Sequence, residues 1–107
     1  MTEKEYLLIC LIEECAEVQH IASKCLRFGL DNYHPDHPEA TNQQELNREL
    51  NDLDAVRYML SEYATIFRSH IDPAIYAKKI MKVDKYMAVS EECGTLSKEE
   101  PPCSGQY

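Results

Sequence analysis

The sequence predicts an all-α fold: a small bundle of three main helices whose core is completed by oligomerisation into a four-helix-type assembly. Three observations predict it. Apolar residues recur at alternating three- and four-residue spacing over long stretches, which is the period of a buried helix face. Hydrophobic residues make up 44% of the 107 residues, with no Trp and only 3 Gly, a composition that suits a helical globular chain rather than a disordered or β-rich one. Helix-capping signals stand before each periodic stretch.

Thr2-Glu3-Lys4-Glu5 opens the first helix as a capping box, Thr2 capping and Glu5 reaching back. Its stripe runs Leu7, Leu11, Glu14, Val18, Ile21, Cys25, and Gly29 supplies the stop after Arg27 or Phe28. Leu30 to Ala40 holds two prolines with scattered Asn and Asp and reads as a loop. Thr41 and Gln44 repeat the capping box, and a second stripe follows: Leu46, Glu49, Leu53, Val56, Leu60, Tyr63, Phe67. That helix is expected to run to about Phe67 or Ser69. Asp72-Pro73 marks a third start, Asp as cap and Pro at the first helical position. The third stripe holds Ile75, Tyr76, Lys79, Ile80, Val83 and Met87. Beyond Met87 no apolar period survives, so the expected division is a helical domain over 1–88 and a flexible acidic tail over 89–107.

Carboxylates interrupt two of these stripes. Glu14 lies in the apolar row of the first helix with Glu17 one turn on, and Glu49 lies in the row of the second with Asp52 one turn on. Packing the two faces together gathers four carboxylates in a partly buried place. Unpaired buried anions cost several kcal/mol each by the usual estimates, so a compensating charge is required. A hard divalent cation with oxygen ligands, Mg²⁺ or alternatively Mn²⁺, meets the need. Glu13 sits about 100° around the helix from Glu14 and is read as a supporting or solvent-facing acid.

Glu13-Glu14-x-x-Glu17 followed by Glu49-x-x-Asp52 resembles the MazG-type all-α nucleoside triphosphate pyrophosphohydrolases, relatives of the dimeric dUTPases and the phosphoribosyl-ATP pyrophosphohydrolases. The stretch between Glu17 and Glu49 is longer than in that family. The resemblance implies Mg²⁺ held by Glu14, Glu17, Glu49 and Asp52, and hydrolysis of a (deoxy)nucleoside triphosphate between its α and β phosphates to the monophosphate and pyrophosphate. It also implies that basic residues of the last helix meet the triphosphate, here Lys82 and Lys85 of the cluster Lys78, Lys79, Lys82, Lys85. Tyr33 and His34, in the loop between the acidic helices, become candidate base contacts, as does His37.

Composition narrows the partners. Formal net charge is −8, from 19 acidic and 11 basic residues, so the overall field repels nucleic-acid polymers and anionic membranes. The apolar run Leu7 to Ile12 is far too short to span a bilayer, and the polar N-terminus leads us to expect a cytoplasmic protein. The 5 cysteines are odd in number and lack a C-x-x-C pair, so they read as thiols. Apolar side chains around more than one face, at residues 8 to 12 and at Tyr58-Met59, point to a homodimer or homotetramer. A zinc site on His34 and His37 lacks two further ligands. A di-iron carboxylate site needs Glu-x-x-His pairs, which Glu17 and Asp52 do not supply. The rival from another class is a non-enzymatic helical module that binds a protein partner.

Overall fold

A computed structural model describes residues 1–67 and 72–97. These residues form an all-α structure without strands: α1 (Glu3–Phe28), α2 (Asn42–Leu60), a short 3-10 turn (Thr65–Phe67) and α3 (Pro73–Glu92). Met1–His70 is one compact unit and Ile71–Tyr107 another.

Both expected capping boxes form. The Thr2 N–H donates to Glu5 Oε2 at 2.9 Å while Thr2 Oγ1 accepts from the Glu5 N–H at 3.2 Å. Thr41 and Gln44 repeat the exchange at 2.8 and 3.3 Å. Two backbone donors that begin each helix are thereby satisfied, one at the cap and one at its third residue. α1 ends where Gly29 takes φ +96°, a conformation that a β-carbon disfavours, and the Gly29 N–H closes onto Cys25 O at 2.9 Å.

α1 and α2 run antiparallel as a hairpin. At one end the buried Asn42 side chain donates to Gly29 O; at the other Tyr63 Oη donates to Glu3 Oε2. The α1 and α2 stripes face inward up to Leu60, and Tyr63 departs from its stripe at 42% exposed: Leu7 and Leu60 are buried, and Leu11, Val18, Ile21, Cys25, Leu46, Leu53 and Val56 are half-buried. Leu60 is 1% exposed, the most completely buried apolar side chain among the described residues.

The structure departs from the sequence reading at two helix ends. α2 stops at Leu60 although the apolar period continues to Phe67. Ser61 Oγ donates to Tyr58 O, competing with the helical ladder, and the chain turns before the 3-10 segment returns Phe67 to a half-buried position. α3 instead continues past Met87 to Glu92, so residues 89–92 are helix and not tail. Its stop is Gly94 at φ +78°, with the Thr95 N–H reaching back to Ser90 O. Loss of an apolar period does not end the helix itself. The expected tail beyond residue 97 and the alternative end of α2 at Ser69 lie outside the described residues.

In α3 the Asp72 carboxylate accepts from the Ala74 and Ile75 N–H groups, with Pro73 in the first turn. The helix buries no residue; Ile75, Tyr76, Ile80, Met81, Val83, Met87 and Val89 are all exposed. Cys10, Cys15, Cys25 and Cys93 are free thiols, as expected from the sequence, and Cys103 lies outside the described residues.

Candidate metal centre

Glu14 is held in the inward row of α1 by Leu11 and Val18 on either side, and Glu49 in the row of α2 by Leu46 and Leu53. Antiparallel packing sets these mid-helix positions opposite each other. Glu14, Glu49 and Asp52 each offer a carboxylate oxygen, and these oxygens lie within 4.8 Å of one another. Glu14 and Glu49 are half-buried and Asp52 is exposed. Glu17, the fourth acid of the expected set, is exposed and does not join the three. Glu13 is exposed.

Two features mark the three carboxylates as uncompensated. Glu14 Oε2 is buried and has no hydrogen-bond partner. The pKa of Glu49 is raised above its ordinary value, first by burial and then by the negative charges of Asp52, Glu17, Glu14 and Glu45. Among the described residues no Lys, Arg or His forms an ion pair with Glu14, Glu49 or Asp52. Arg48 of α2 pairs with Glu45 at 3.4 Å.

Magnitudes show what this arrangement demands. Two unit charges 4.8 Å apart repel by roughly 3.5 kcal/mol at an effective dielectric of about 20. Three such pairs, before solvent screening at the exposed Asp52, approach the whole stability of a small domain, about 5–15 kcal/mol. Such repulsion favours a proton on Glu49 or a cation among the three oxygens, although exposed acidic groups are also common without an ion. The raised pKa of Glu49 is the first solution. The all-oxygen donor set, with one orphaned oxygen on Glu14, also fits the second, because hard divalent cations take carboxylate ligands.

The sign of the pH dependence follows. A raised carboxyl pKa means that the fold favours the protonated form. The stability associated with Glu49 is thus fully present below its ordinary pKa of 4.5 and lost as pH rises through the raised value. A cation binding there displaces that proton, so its affinity rises with pH over the same window.

The loop between the helices lies at the Gly29–Asn42 end of the hairpin, not beside the carboxylates. Asn42 is seven residues before Glu49 on α2, about 10 Å along the axis. The loop is pinned: the Asn42 N–H donates to Asn32 O at 2.7 Å and the Gln43 N–H to Leu30 O at 3.0 Å. Tyr33 and His34 line a cleft of about 870 Å³ there, together with Lys24 and Arg27 from the last turns of α1. His34 Nδ1 accepts from the Asp36 N–H at 3.0 Å, which leaves Nε2 to carry the proton of the neutral ring. His34 and His37 have ring centroids 5.6 Å apart, and neither belongs to a potential metal-binding group among the described residues.

Lys24 and Arg27 were not singled out by sequence reasoning. Cations near a helix C-terminus are ordinarily partners of its dipole, so their position gives no separate signal. Lys82 and Lys85 are exposed on α3, where the Lys85 ammonium lies 5.9 Å from the centroid of the Tyr86 ring. Among the described residues no helix is long and apolar enough to cross a membrane. No protein-family model, curated protein or solved structure matches the chain.

Proposed function

We propose that the chain is a Mg²⁺-dependent nucleotide pyrophosphohydrolase that cleaves a (deoxy)nucleoside triphosphate between the α and β phosphates. The observation that carries the reading is the meeting of Glu14, Glu49 and Asp52 from two helices with no neutralising side chain among the described residues. The resemblance of Glu13-Glu14-x-x-Glu17 and Glu49-x-x-Asp52 to the MazG-type enzymes supplies the reaction class. Water adds to phosphorus, the bridging P–O bond breaks, and a monophosphate and pyrophosphate leave.

In this proposal Glu14, Glu49 and Asp52 hold the cation, and Mn²⁺ is the other ion that suits their oxygens. The bound cation supplies charge neutralisation at the phosphates. Glu17, one turn from Glu14 and close enough for its charge to bear on Glu49, orients or deprotonates the attacking water. Lys82 and Lys85 are the basic residues of the last helix that the resemblance assigns to the triphosphate. A role in cytoplasmic nucleotide metabolism belongs to the same reading. The deciding assay is a panel of nucleoside triphosphates with Mg²⁺, read for pyrophosphate against orthophosphate. Pyrophosphate release that chelation abolishes is the expected result. No turnover of any triphosphate, with no Mg²⁺ effect on melting, would instead favour the non-enzymatic helical interaction module.

The second part of the proposal is assembly as a homodimer or homotetramer. Ile12 is 69% exposed and Met81 72%, and with so few residues buried among those described, further apolar burial comes from another copy. Light scattering at micromolar concentration should give a multiple of 12.4 kDa. A monomer mass overturns this part.

A further inference from the structure

We infer that the cleft at the loop end of the α1–α2 hairpin binds the base and α-phosphate of a nucleotide, with Tyr33 against the base and Lys24 and Arg27 toward the phosphate. The inference deepens the nucleotide reading above and rests on it. Its basis is a concavity in the same compact unit as the carboxylates, with cations in its lining.

The volume of about 870 Å³ is within the range of small-ligand sites, roughly 300–1,000 Å³. Among the described residues its lining contains two cations, two aromatic rings and His34, and no acidic residue, with Asp36 beside His34 at 3.8 Å, on a chain whose net charge is −8. An anion is therefore repelled by most of this surface and attracted here. Lys24 is half-buried and has no carboxylate partner among the described residues. The Arg27 guanidinium is 5.0 Å from the centroid of the Phe28 ring, so a flat cation and a flat apolar surface sit side by side. That combination suits a ligand with an aromatic part and an anionic part.

The walls are set before any ligand arrives. The Asn42 side chain holds Gly29 O at 2.9 Å, and the Asn42 and Gln43 N–H groups hold the loop carbonyls. The Gln44 N–H is taken by Thr41 Oγ1. With the first donors of α2 occupied, an anion in the cleft depends on the side chains of Lys24 and Arg27. A smaller concavity of about 240 Å³ shares Lys24, His34 and Asn42 with the cleft and reaches Glu45 and Arg48. Glu45 is one turn before Glu49. The described lining of this smaller concavity also includes Glu39 and ends at Glu45 and Arg48, short of Glu14, Glu49 and Asp52.

The test uses the full chain with EDTA and no divalent metal, titrated with the common nucleoside monophosphates and with inorganic phosphate by NMR. Saturable binding of at least one monophosphate is expected. Tyr33→Ala and Lys24→Ala should each weaken it about tenfold, the size expected for loss of one stacking or charged contact. Lys24→Arg should retain binding, and unchanged spectral dispersion identifies the variants as folded. Absence of monophosphate binding overturns the inference, as does binding that Lys24→Ala leaves unchanged. Phosphate binding equal to monophosphate binding, with Tyr33→Ala silent, overturns the base assignment. Failure of the metal reading looks different: monophosphate binding sensitive to Tyr33 and Lys24 persists, while Mg²⁺ leaves melting and spectra unaltered.

Discussion

Glu49→Gln is expected to abolish Mg²⁺-dependent pyrophosphate release, by at least about a hundredfold, while leaving the metal-free protein as stable as the parent or more so. The size is that seen when one preorganised charge-stabilising group is removed from a site. The unusual part is the second half. Substitutions at half-buried positions mostly destabilise, but Gln preserves the shape of Glu49 while removing a charge that burial and its acidic neighbours already disfavour. Gln imitates the protonated carboxyl, so the stability difference between variant and parent should be smallest below the ordinary pKa of 4.5 and widen as pH rises. Melting of both proteins with and without Mg²⁺, over a pH series, measures each component. Full activity together with an unchanged Mg²⁺ shift removes Glu49 from the site.

Leu60→Ala is expected to cost about 2–5 kcal/mol of folding stability, the range for truncating a buried leucine. Leu60 is 1% exposed, and with Leu7 it forms the buried apolar part of the hairpin near the Glu3–Tyr63 contact. Against a total of about 5–15 kcal/mol for a small domain, that loss is large enough to lower the unfolding midpoint steeply. Leu26→Ala supplies the comparison, since Leu26 is 88% exposed and an ordinary surface substitution changes stability by about 0.5 kcal/mol or less. Denaturant titration of both variants gives the two values. Equal losses would mean that Leu60 does not anchor the packing of α1 on α2.

The sequence by itself determined the helices and the faces that pack. Capping boxes at Thr2 and Thr41 and the glycine at position 29 are local chemistry, decided within four residues, and they occur as read. The inward rows of α1 and α2 were legible because a helix repeats every 3.6 residues, so spacing alone states which side chains share a face. This is also why Glu14 and Glu49 could be recognised as acids standing where apolar residues belong. The ends of α2 and α3 were less legible. The Ser61 side chain diverts the backbone at one, and Gly94 stops the other past the last apolar position.

Only the tertiary structure decided which carboxylates meet. Glu17 and Asp52 hold equivalent places in their motifs, each one turn beyond the acid in the apolar row, yet Asp52 joins Glu14 and Glu49 and Glu17 does not. Spacing along one helix sets a direction from its axis, whereas distance across two helices depends on how the partner is rotated and shifted against it. The loop-end cleft is likewise a tertiary product. Lys24, Arg27, Tyr33 and His34 are ordinary residues of a helix terminus and a loop, and they line one concavity because the loop is hydrogen-bonded to the first residues of α2.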